Sequence, residues 1–290
     1  MKFLIIFCLV SEHLTKREKQ DKRLVSEQAT YRKKLEQAVN GRQNQQQQDK
    51  WRQKIVAHRG VSAHYPENTW AAFEAARQAS VQWIETDVSM LQDETLIIFH
   101  DDRQGRTVSG DKLVAESLWA DFAHADAGVW KGPAFAGQSV PLLADLLVWG
   151  GQQGMSLNLE IKCHGGRQDR TAQKLASVLQ QTATDGIVVS SFDVYFLQIL
   201  RQSMPDLRLA CIHDEPVQMS KLLAETPAIE AVHLKHSLIR SPDDVAVFHD
   251  KGLDLRAWTV NDADRAVQLF DWGVDMVISD DPQQISSAAF

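Results

Sequence analysis

The chain has few cysteines and no long hydrophobic segment, and each shortage excludes a class of protein. Only three of its 290 residues are cysteine, Cys8, Cys163 and Cys211, which is too few for a disulfide framework or a zinc cluster. We interpret each as a small buried apolar residue. The apolar run Phe3–Val10 has eight residues, whereas a membrane-spanning helix needs roughly 20. The sequence therefore predicts neither a disulfide-stabilised nor a membrane-spanning protein.

Positive charge is scarce over most of the chain and concentrated near its amino terminus. The net charge is −7, from 31 Lys and Arg against 38 Asp and Glu. Residues 11–54 hold 12 basic and 6 acidic residues, whereas residues 55–290 hold 18 and 32. An acidic body is a poor general binder of polyanions, so we expect no nucleic-acid partner. A phosphate ligand would need a metal ion or a few well-placed Arg and Lys side chains.

Residues 1–54 have the composition of a leader rather than of a folded body. They are rich in Lys, Arg, Glu and Gln and include the Gln43–Gln48 tract. Helical spacing is approached by Leu24, Tyr31, Leu35 and Val39, which favours a solvated helix or a mobile arm. No small-x-small cleavage site follows the apolar tip, so we predict a cytoplasmic protein. Export, or membrane contact through residues 1–54, is the alternative.

From Ile55 onward, short apolar runs alternate with amphipathic stretches such as Thr69–Gln78 and Ala263–Phe270. Strand alternating with helix is typical of a parallel sheet with right-handed crossovers. Eight such units within residues 55–290 predict an α/β fold, the (β/α)8 TIM barrel. The predicted strands are Ile55–Ala57, Trp83–Val88, Leu157–Ile161, Ile187–Ser190, Leu207–Ile212, Ala231–Leu234, Leu253–Trp258 and Asp275–Ile278.

A ninth apolar run, Thr95–Phe99, lies too close to the strand before it for a helical crossover. We therefore predict that it returns antiparallel as a hairpin arm, with Asp93-Glu94 as a two-residue turn. Pairing from that turn sets His100 opposite Asp87. Alternation then puts Glu85, Asp87 and His100 on one face, and a shift of one residue would turn His100 away.

Polar residues occupy the carboxyl ends of several predicted strands, which is where barrel enzymes build their sites. Imidazoles exchange protons near neutral pH, carboxylates bind hard divalent cations, and Arg and Lys bind anions. All three kinds of group are present, together with one indole. The candidate site residues are His58, Arg59, Glu85, Asp87, His100, Glu160, Lys162 and Trp258.

Each candidate has a structural alternative. Glu85 and Asp87 lie in a strand predicted to be buried, where unpaired carboxylates are costly, and this favours metal ligands over solvated charges. For Glu160 the alternative is a structural ion pair with Lys162. For either histidine it is a hydrogen-bonded core position. The candidates gain weight because they occur together at strand ends.

Six short motifs occur in a fixed order between Ile55 and Pro282. They are Ala57–Gly60, Pro66–Thr69, Glu85–Asp87, His100–Asp101, Glu160–Lys162 and Trp258–Asn261, with Ile278–Pro282 at the end. The order and spacing of these motifs resemble those of the glycerophosphodiester phosphodiesterases, most closely those of their bacterial cytoplasmic branch. The resemblance implies a TIM barrel over residues 55–290 with an insertion at about residues 103–140. It also implies hydrolysis of glycerophosphodiesters to sn-glycerol 3-phosphate and an alcohol.

The same resemblance implies roles for individual residues. His58 and His100 would form the catalytic acid–base pair, and Arg59 and Lys162 would contact the phosphate. We expect Trp258 to form an apolar wall for the glycerol carbons, with simple core packing as the alternative.

The resemblance also implies a metal site. Glu85, Asp87 and Glu160 would hold one divalent cation. Ligation by oxygen alone favours Mg²⁺, Ca²⁺ or Mn²⁺ over zinc.

Two other functions fit the same pattern. One is a barrel that only binds glycerol phosphates, and the other is a lysophospholipase D-type enzyme that acts on lipids. The intact histidine pair and carboxylate trio favour catalysis, and the acidic body speaks against contact with a membrane. We therefore expect a small-molecule glycerophosphodiester as the partner.

Overall fold

The computed structural model of the chain describes residues 53–226 and 228–288, together with Lys33. The leader predicted over residues 1–54, including Phe3–Val10, lies almost entirely outside these residues and stays a prediction. Every helix in the described ranges is too short or too polar to span a bilayer.

Eight parallel strands form a closed barrel, and a ninth strand extends from the second. The first strand pairs with both the second and the last, which closes the sheet. This confirms the predicted TIM barrel. The barrel strands are β1 (Ile55–His58), β2 (Trp83–Met90), β4 (Ser156–Lys162), β5 (Ile187–Ser191), β6 (Arg208–His213), β7 (Ala231–Lys235), β8 (Asp254–Trp258) and β9 (Met276–Ser279), and the additional strand is β3 (Leu96–Ile98).

A helix follows each barrel strand in the described part of the chain. For β2 the hairpin arm and the insertion come first. The predicted helices Thr69–Gln78 and Ala263–Phe270 are confirmed to within one residue at each end. The helices are α1 (Trp70–Gln78), α2 (Leu143–Gln153), α3 (Gln168–Leu179), α4 (Val194–Ser203), α5 (Met219–Glu225), α6 (Pro242–His249), α7 (Ala263–Asp271) and α8 (Pro282–Ala288).

Polar side chains fix where several helices begin. Asp193 accepts a hydrogen bond from the Phe196 amide (2.9 Å) at the start of α4, and Asp262 accepts one from the Arg265 amide (2.7 Å) at the start of α7. Such caps bind amide groups that have no partner inside the helix. Each cap lies a few residues after the end of a strand, so these helices begin at the same end of the barrel as the carboxyl ends of the strands.

The main hydrophobic core lies between the strands and the helices. Ile84 and Val88 of β2 belong to one buried cluster with Phe73 of α1 and Leu146 of α2. Burying a large apolar side chain of this kind contributes about 1.5–3 kcal/mol. Because side chains alternate along a strand, the intervening Glu85 points to the barrel interior.

The predicted hairpin arm is confirmed, but its predicted register is wrong by one residue. Val88 pairs with Ile98, whereas the two-residue turn would have paired it with Phe99. The reason is the turn, which has three residues and ends at Glu94 with φ of 64°. The Glu94 amide bonds to the Leu91 carbonyl (3.1 Å), and the Leu91 amide bonds to the Thr95 carbonyl (2.9 Å). Three-residue hairpin loops commonly end in a left-handed residue of this kind.

The insertion at about residues 103–140 has a small core of its own, which rests on the hairpin arm. Phe122 is fully buried and meets Phe99 edge to face, with ring centroids 5.2 Å apart. Val108 and Val114 complete the same cluster. Trp130 lies outside it and is 38% exposed. The insertion is thus a packed unit.

The barrel interior also holds charged and polar groups. Arg256 of β8 is buried, donates to Glu230 (2.7 Å) and lies over the Trp83 ring. His233 of β7 is buried as well, and its Nε2 has no hydrogen-bond partner among the described residues. Burial and the positive charge of Arg256 lower the pKa of His233 well below its usual value. His233 is therefore neutral in the folded protein.

This neutral histidine predicts a contribution to acid sensitivity. Below pH about 6.5 the unfolded chain binds a proton at His233, whereas the folded chain does not. The free energy of unfolding therefore falls as pH falls. For His233→Gln we expect a smaller slope of unfolding free energy between pH 6.5 and 5, by up to about 1.4 kcal/mol per pH unit. Urea unfolding at several pH values measures it. The exposed His124→Gln is the control, and equal slopes in wild type and His233→Gln would contradict the prediction.

Candidate active site

His58, the last residue of β1, is held by a carboxylate from the neighbouring strand. Its Nδ1 lies 2.6 Å from Oδ1 of Asp280, directly after β9. Ser62 donates to the same oxygen (2.9 Å), and Asn261 donates to the other one (2.6 Å). The imidazole is thereby oriented through Nδ1, and its Nε2 faces Glu85 at 3.8 Å. Nε2 is the atom left for chemistry.

The charges around His58 favour its protonated form. Burial alone would lower the pKa of His58, but the hydrogen bond to Asp280 and the charge of Glu85 outweigh it and raise that pKa. Burial would likewise raise the pKa of Asp280, yet its bonds to His58 and Asn261 lower it. The pair therefore combines a carboxylate that stays ionised with an imidazole that holds its proton more tightly than usual.

Arg59 follows His58 and lies between two carboxylates. Its Nη1 donates to Glu67 (2.8 Å), and its Nε lies 3.0 Å from Oδ2 of Asp87. The turn that permits this has φ of 57° at Arg59 and 82° at Gly60. A Cβ at position 60 would lie 2.6 Å from the backbone of α1, so this turn requires glycine.

Three carboxylates meet at the same end of the barrel. Glu85 and Asp87 project from β2, and Glu160 projects from β4, where it pairs with Asp87 in register. Each offers one oxygen, and these oxygens all lie within 4.8 Å of one another. Among the described residues, Oε1 of Glu85 is buried and has no hydrogen-bond partner. A set of oxygen donors that includes a buried, unpartnered atom fits a hard divalent cation.

Lys162, the last residue of β4, lies beside this cluster. The Lys162 ammonium contacts Glu160 and lies 3.0 Å from Oδ1 of Asp87. Burial alone would raise the pKa of Asp87, but Lys162 and Arg59, and more weakly His100, lower it. Glu85 has less compensation. Burial and the charge of Asp87 raise the pKa of Glu85 to about 8.

The Pro66–Thr69 motif, to which the sequence assigned no role, supports the cluster. Asn68 donates from Nδ2 to Asp87 (2.8 Å) and accepts from the Thr86 hydroxyl (2.7 Å). Its neighbour Glu67 holds Arg59. Asp280 was also missed as a partner of His58, although it lies in the motif at the end of the barrel. The order of the motifs was the signal that marked all three residues.

His100 lies beyond β3, so strand alternation does not decide its direction. The Phe99 amide bonds to the Asp87 carbonyl (3.0 Å), which keeps the arm beside β2. Nδ1 of His100 lies 2.8 Å from Oδ1 of Asp101, and the side chain is 34% exposed. Despite the register shift, the imidazole lies near enough to Asp87 to affect its pKa. Each candidate histidine thus has a carboxylate on Nδ1.

Trp258 ends β8 at the edge of the site. Its indole Nε1 donates to the His233 carbonyl (3.2 Å), and its ring meets Phe192 edge to face with centroids 5.7 Å apart. Phe192, which follows β5, is 46% exposed. Among the described residues, Trp258 and His100 make no hydrogen bond to the carboxylate cluster. The structure therefore joins six of the eight predicted residues by direct polar contacts with one another. Trp258 and His100 lie beside these six without such a contact among the described residues.

A cavity of about 430 Å³ opens next to His58 and Arg59. Trp130 and Lys131 of the insertion line its other side. The Lys131 ammonium donates to the Ser62 carbonyl (2.8 Å), which ties the insertion to the loop after β1. The histidine and arginine of the first motif are thus reached from a space that the insertion partly encloses.

This fold and these groups define a barrel enzyme with histidine–carboxylate pairs and a carboxylate cluster at the carboxyl ends of its strands. The sequence profile of the glycerophosphoryl diester phosphodiesterase family matches residues 58–284. The chain belongs to this family of enzymes, which confirms the resemblance of its motifs.

Individual relatives agree with the family. A glycerophosphodiester phosphodiesterase of Caldanaerobacter subterraneus subsp. tengcongensis is 29% identical over 236 residues, 80% of this chain and 95% of that protein. One of Bacillus subtilis is 28% identical over 248 residues, 78% of this chain and 83% of that protein. The solved structure of an Oleispira antarctica phosphodiesterase in complex with the product sn-glycerol-3-phosphate has a TM-score of 0.76 and 32% identity. The match covers 81% of this chain and 96% of the Oleispira chain.

The His58–Asp280 pair predicts a large effect of a small substitution. In Asp280→Asn the amide cannot hold the imidazole as a charged acceptor does, and an analogous change in a hydrolase triad costs about 10⁴-fold. We expect kcat to fall by at least about 100-fold with little change in melting temperature. The control is Asp275→Asn, which breaks a similar pair with His249 (2.9 Å) before β9. Equal kcat values for Asp280→Asn and wild type would contradict the assignment.

Proposed function

We propose that the chain hydrolyses glycerophosphodiesters to sn-glycerol 3-phosphate and an alcohol, with one divalent cation and a pair of histidines. The observation that carries this proposal is the cluster of Glu85, Asp87 and Glu160, with the unpartnered buried Oε1 of Glu85, next to the His58–Asp280 pair. The name of the Oleispira structure, which contains the product sn-glycerol-3-phosphate, supports the substrate class.

Glu85, Asp87 and Glu160 would hold the cation. A divalent ion bound there supplies positive charge to a phosphoryl oxygen. Oxygen ligands favour Mg²⁺, Ca²⁺ or Mn²⁺. The Lys162 ammonium, in contact with two of these carboxylates, supports the view that the cluster attracts a cation.

Arg59 and Lys162 would bind the phosphate. A phosphodiester carries one negative charge, and nucleophilic attack adds charge to its non-bridging oxygens. Both side chains lie beside the cluster, and their partners Glu67, Asp87 and Glu160 hold them in place before substrate arrives. Such preorganised donors stabilise developing charge without reorganisation during the reaction.

His58 and His100 would transfer protons. Because a carboxylate lies on Nδ1 of each ring, both present Nε2 to the substrate. One imidazole would take the proton from the attacking glycerol hydroxyl group of the substrate, and the other would give a proton to the leaving alcohol oxygen. Water would then open the resulting cyclic phosphate to give sn-glycerol 3-phosphate. Each transfer typically contributes about 10²–10⁴-fold. Trp258, held by its hydrogen bond to the His233 carbonyl, would form an apolar surface against the glycerol carbons.

A substrate panel tests the proposal. The purified full chain is incubated with glycerophosphoglycerol, glycerophosphocholine and lysophosphatidylcholine, with Mg²⁺, Ca²⁺ or Mn²⁺ and with chelator, and glycerol 3-phosphate is detected enzymatically. We expect metal-dependent product from the two water-soluble diesters. Choline release from lysophosphatidylcholine alone would favour the lysophospholipase D-type alternative. Binding without any product would favour the glycerol-phosphate-binding barrel.

The histidine pair predicts the behaviour of two variants. His58→Ala and His100→Ala should each lower kcat by several orders of magnitude, because each would remove one proton-transfer group. Circular dichroism should show an intact fold, since both side chains lie at the rim of the barrel. Turnover like that of wild type in either variant would remove that histidine from the mechanism.

The metal site predicts a change in binding as well as in rate. Glu160→Gln keeps the shape of the side chain but removes its charge, so divalent-ion affinity should fall by about 10-fold or more in calorimetry. Glu116→Gln, an exposed position of the insertion, is the matched control. Unchanged metal affinity in Glu160→Gln would assign Glu160 to a structural ion pair with Lys162.

A further inference from the structure

One arginine of the insertion connects two carboxylates that serve different motifs. Arg106 donates to Asp101 from Nε (2.8 Å) and Nη2 (2.8 Å), and to Glu67 from Nη1 (2.7 Å) and Nη2 (2.8 Å). Four of the five guanidinium N–H groups are used, two for each carboxylate. Bidentate pairs of this kind are strong and directional, and lysine cannot reproduce them.

The two carboxylates held by Arg106 each orient a group of the proposed active site. Asp101 accepts from Nδ1 of His100 (2.8 Å), and Glu67 accepts from Nη1 of Arg59 (2.8 Å). A single carboxylate thus separates Arg106 from His100, which is proposed to transfer a proton, and another separates it from Arg59, which is proposed to bind phosphate. It contacts neither of them directly.

The local fold of the insertion determines where Arg106 points. Gly105 before it has φ of 127°, and its amide bonds to the Val108 carbonyl (2.8 Å). Thr107 and Val108 after it are buried, and Val108 belongs to the small core of the insertion. The Gln104 amide bonds to the Lys112 carbonyl (2.9 Å) and closes the segment at its base. The guanidinium group is therefore anchored to a packed unit.

The carboxylates remain available as acceptors. Burial would raise the pKa of Glu67, but its bonds to Arg106 and the charge of Arg59 lower it. Burial would raise the pKa of Asp101 too, and its bonds to Arg106 and His100 lower it. Both groups thus stay ionised around neutral pH.

We propose that Arg106 is a positioning residue that aligns His100 and Arg59 for catalysis by clamping Asp101 and Glu67 together. The inference rests on the proposed function. It gives the insertion a task in the reaction, because the clamp joins the insertion to the loops after β1 and β3. A misplacement of about 1 Å in a catalytic group can cost about 100-fold in rate.

The test uses variants of the full chain, assayed well below each variant's melting temperature. Arg106→Ala should lower kcat by about 10- to 100-fold and change KM less than kcat. Arg106→Lys should recover only part of that loss, since an ammonium group cannot hold both carboxylates in two pairs. Because the Arg106 side chain is 45% exposed, added guanidinium at millimolar concentration should partly restore Arg106→Ala. The control is Arg103→Ala, an exposed arginine of the same segment.

Each other outcome overturns the inference. A kcat within twofold of wild type for Arg106→Ala would show that no clamp is needed. Full activity of Arg106→Lys would show that a single positive charge suffices. A loss that guanidinium does not restore would assign the effect to folding of the insertion. Failure of the proposed function is distinguishable, because wild type itself would then form no product from any diester.

Discussion

The burial of negative charge at one end of the barrel is the constraint on which the rest of the site depends. Glu85 and Asp87 are buried, and with Glu160 they bring three carboxylate oxygens within 4.8 Å of one another. Unpaired charges in such a place are unstable. The barrel compensates with Arg59 and Lys162, and Oε1 of Glu85 still lacks a partner among the described residues. The remaining demand for positive charge is the physical reason for a cation site there.

A second layer of carboxylates holds the groups that surround this cluster. Asp280 lies on His58, Asp101 on His100, and Glu67 on Arg59. Each of these pairs joins a basic group to an acidic one, so the layer fixes side-chain directions. The directions of these side chains are therefore fixed before any ligand binds, and the insertion contributes to fixing them.

Prediction from the sequence succeeded where a pattern is local. The alternation of strands and helices, the hairpin arm and the positions of the strand ends all follow from short-range periodicity. The turn of the arm shows the limit. The hairpin loop has three residues, Gln92–Glu94, and Glu94 has a left-handed backbone conformation. From composition alone we predicted a loop of two residues. His100 still lies near Asp87, because it follows the end of the strand, where the ladder no longer dictates direction.

By itself, the sequence determined the barrel, the order of its motifs and the residues that carry charge at the strand ends. Only the tertiary structure decided which of them are partners. His58 meets Asp280, 222 positions away, because β1 and β9 are neighbours in the closed sheet. Arg106 meets Glu67, 39 positions away, because the insertion packs against the arm. Hydrogen bonds and charge compensation depend on distances in space, and closure of the barrel sets those distances.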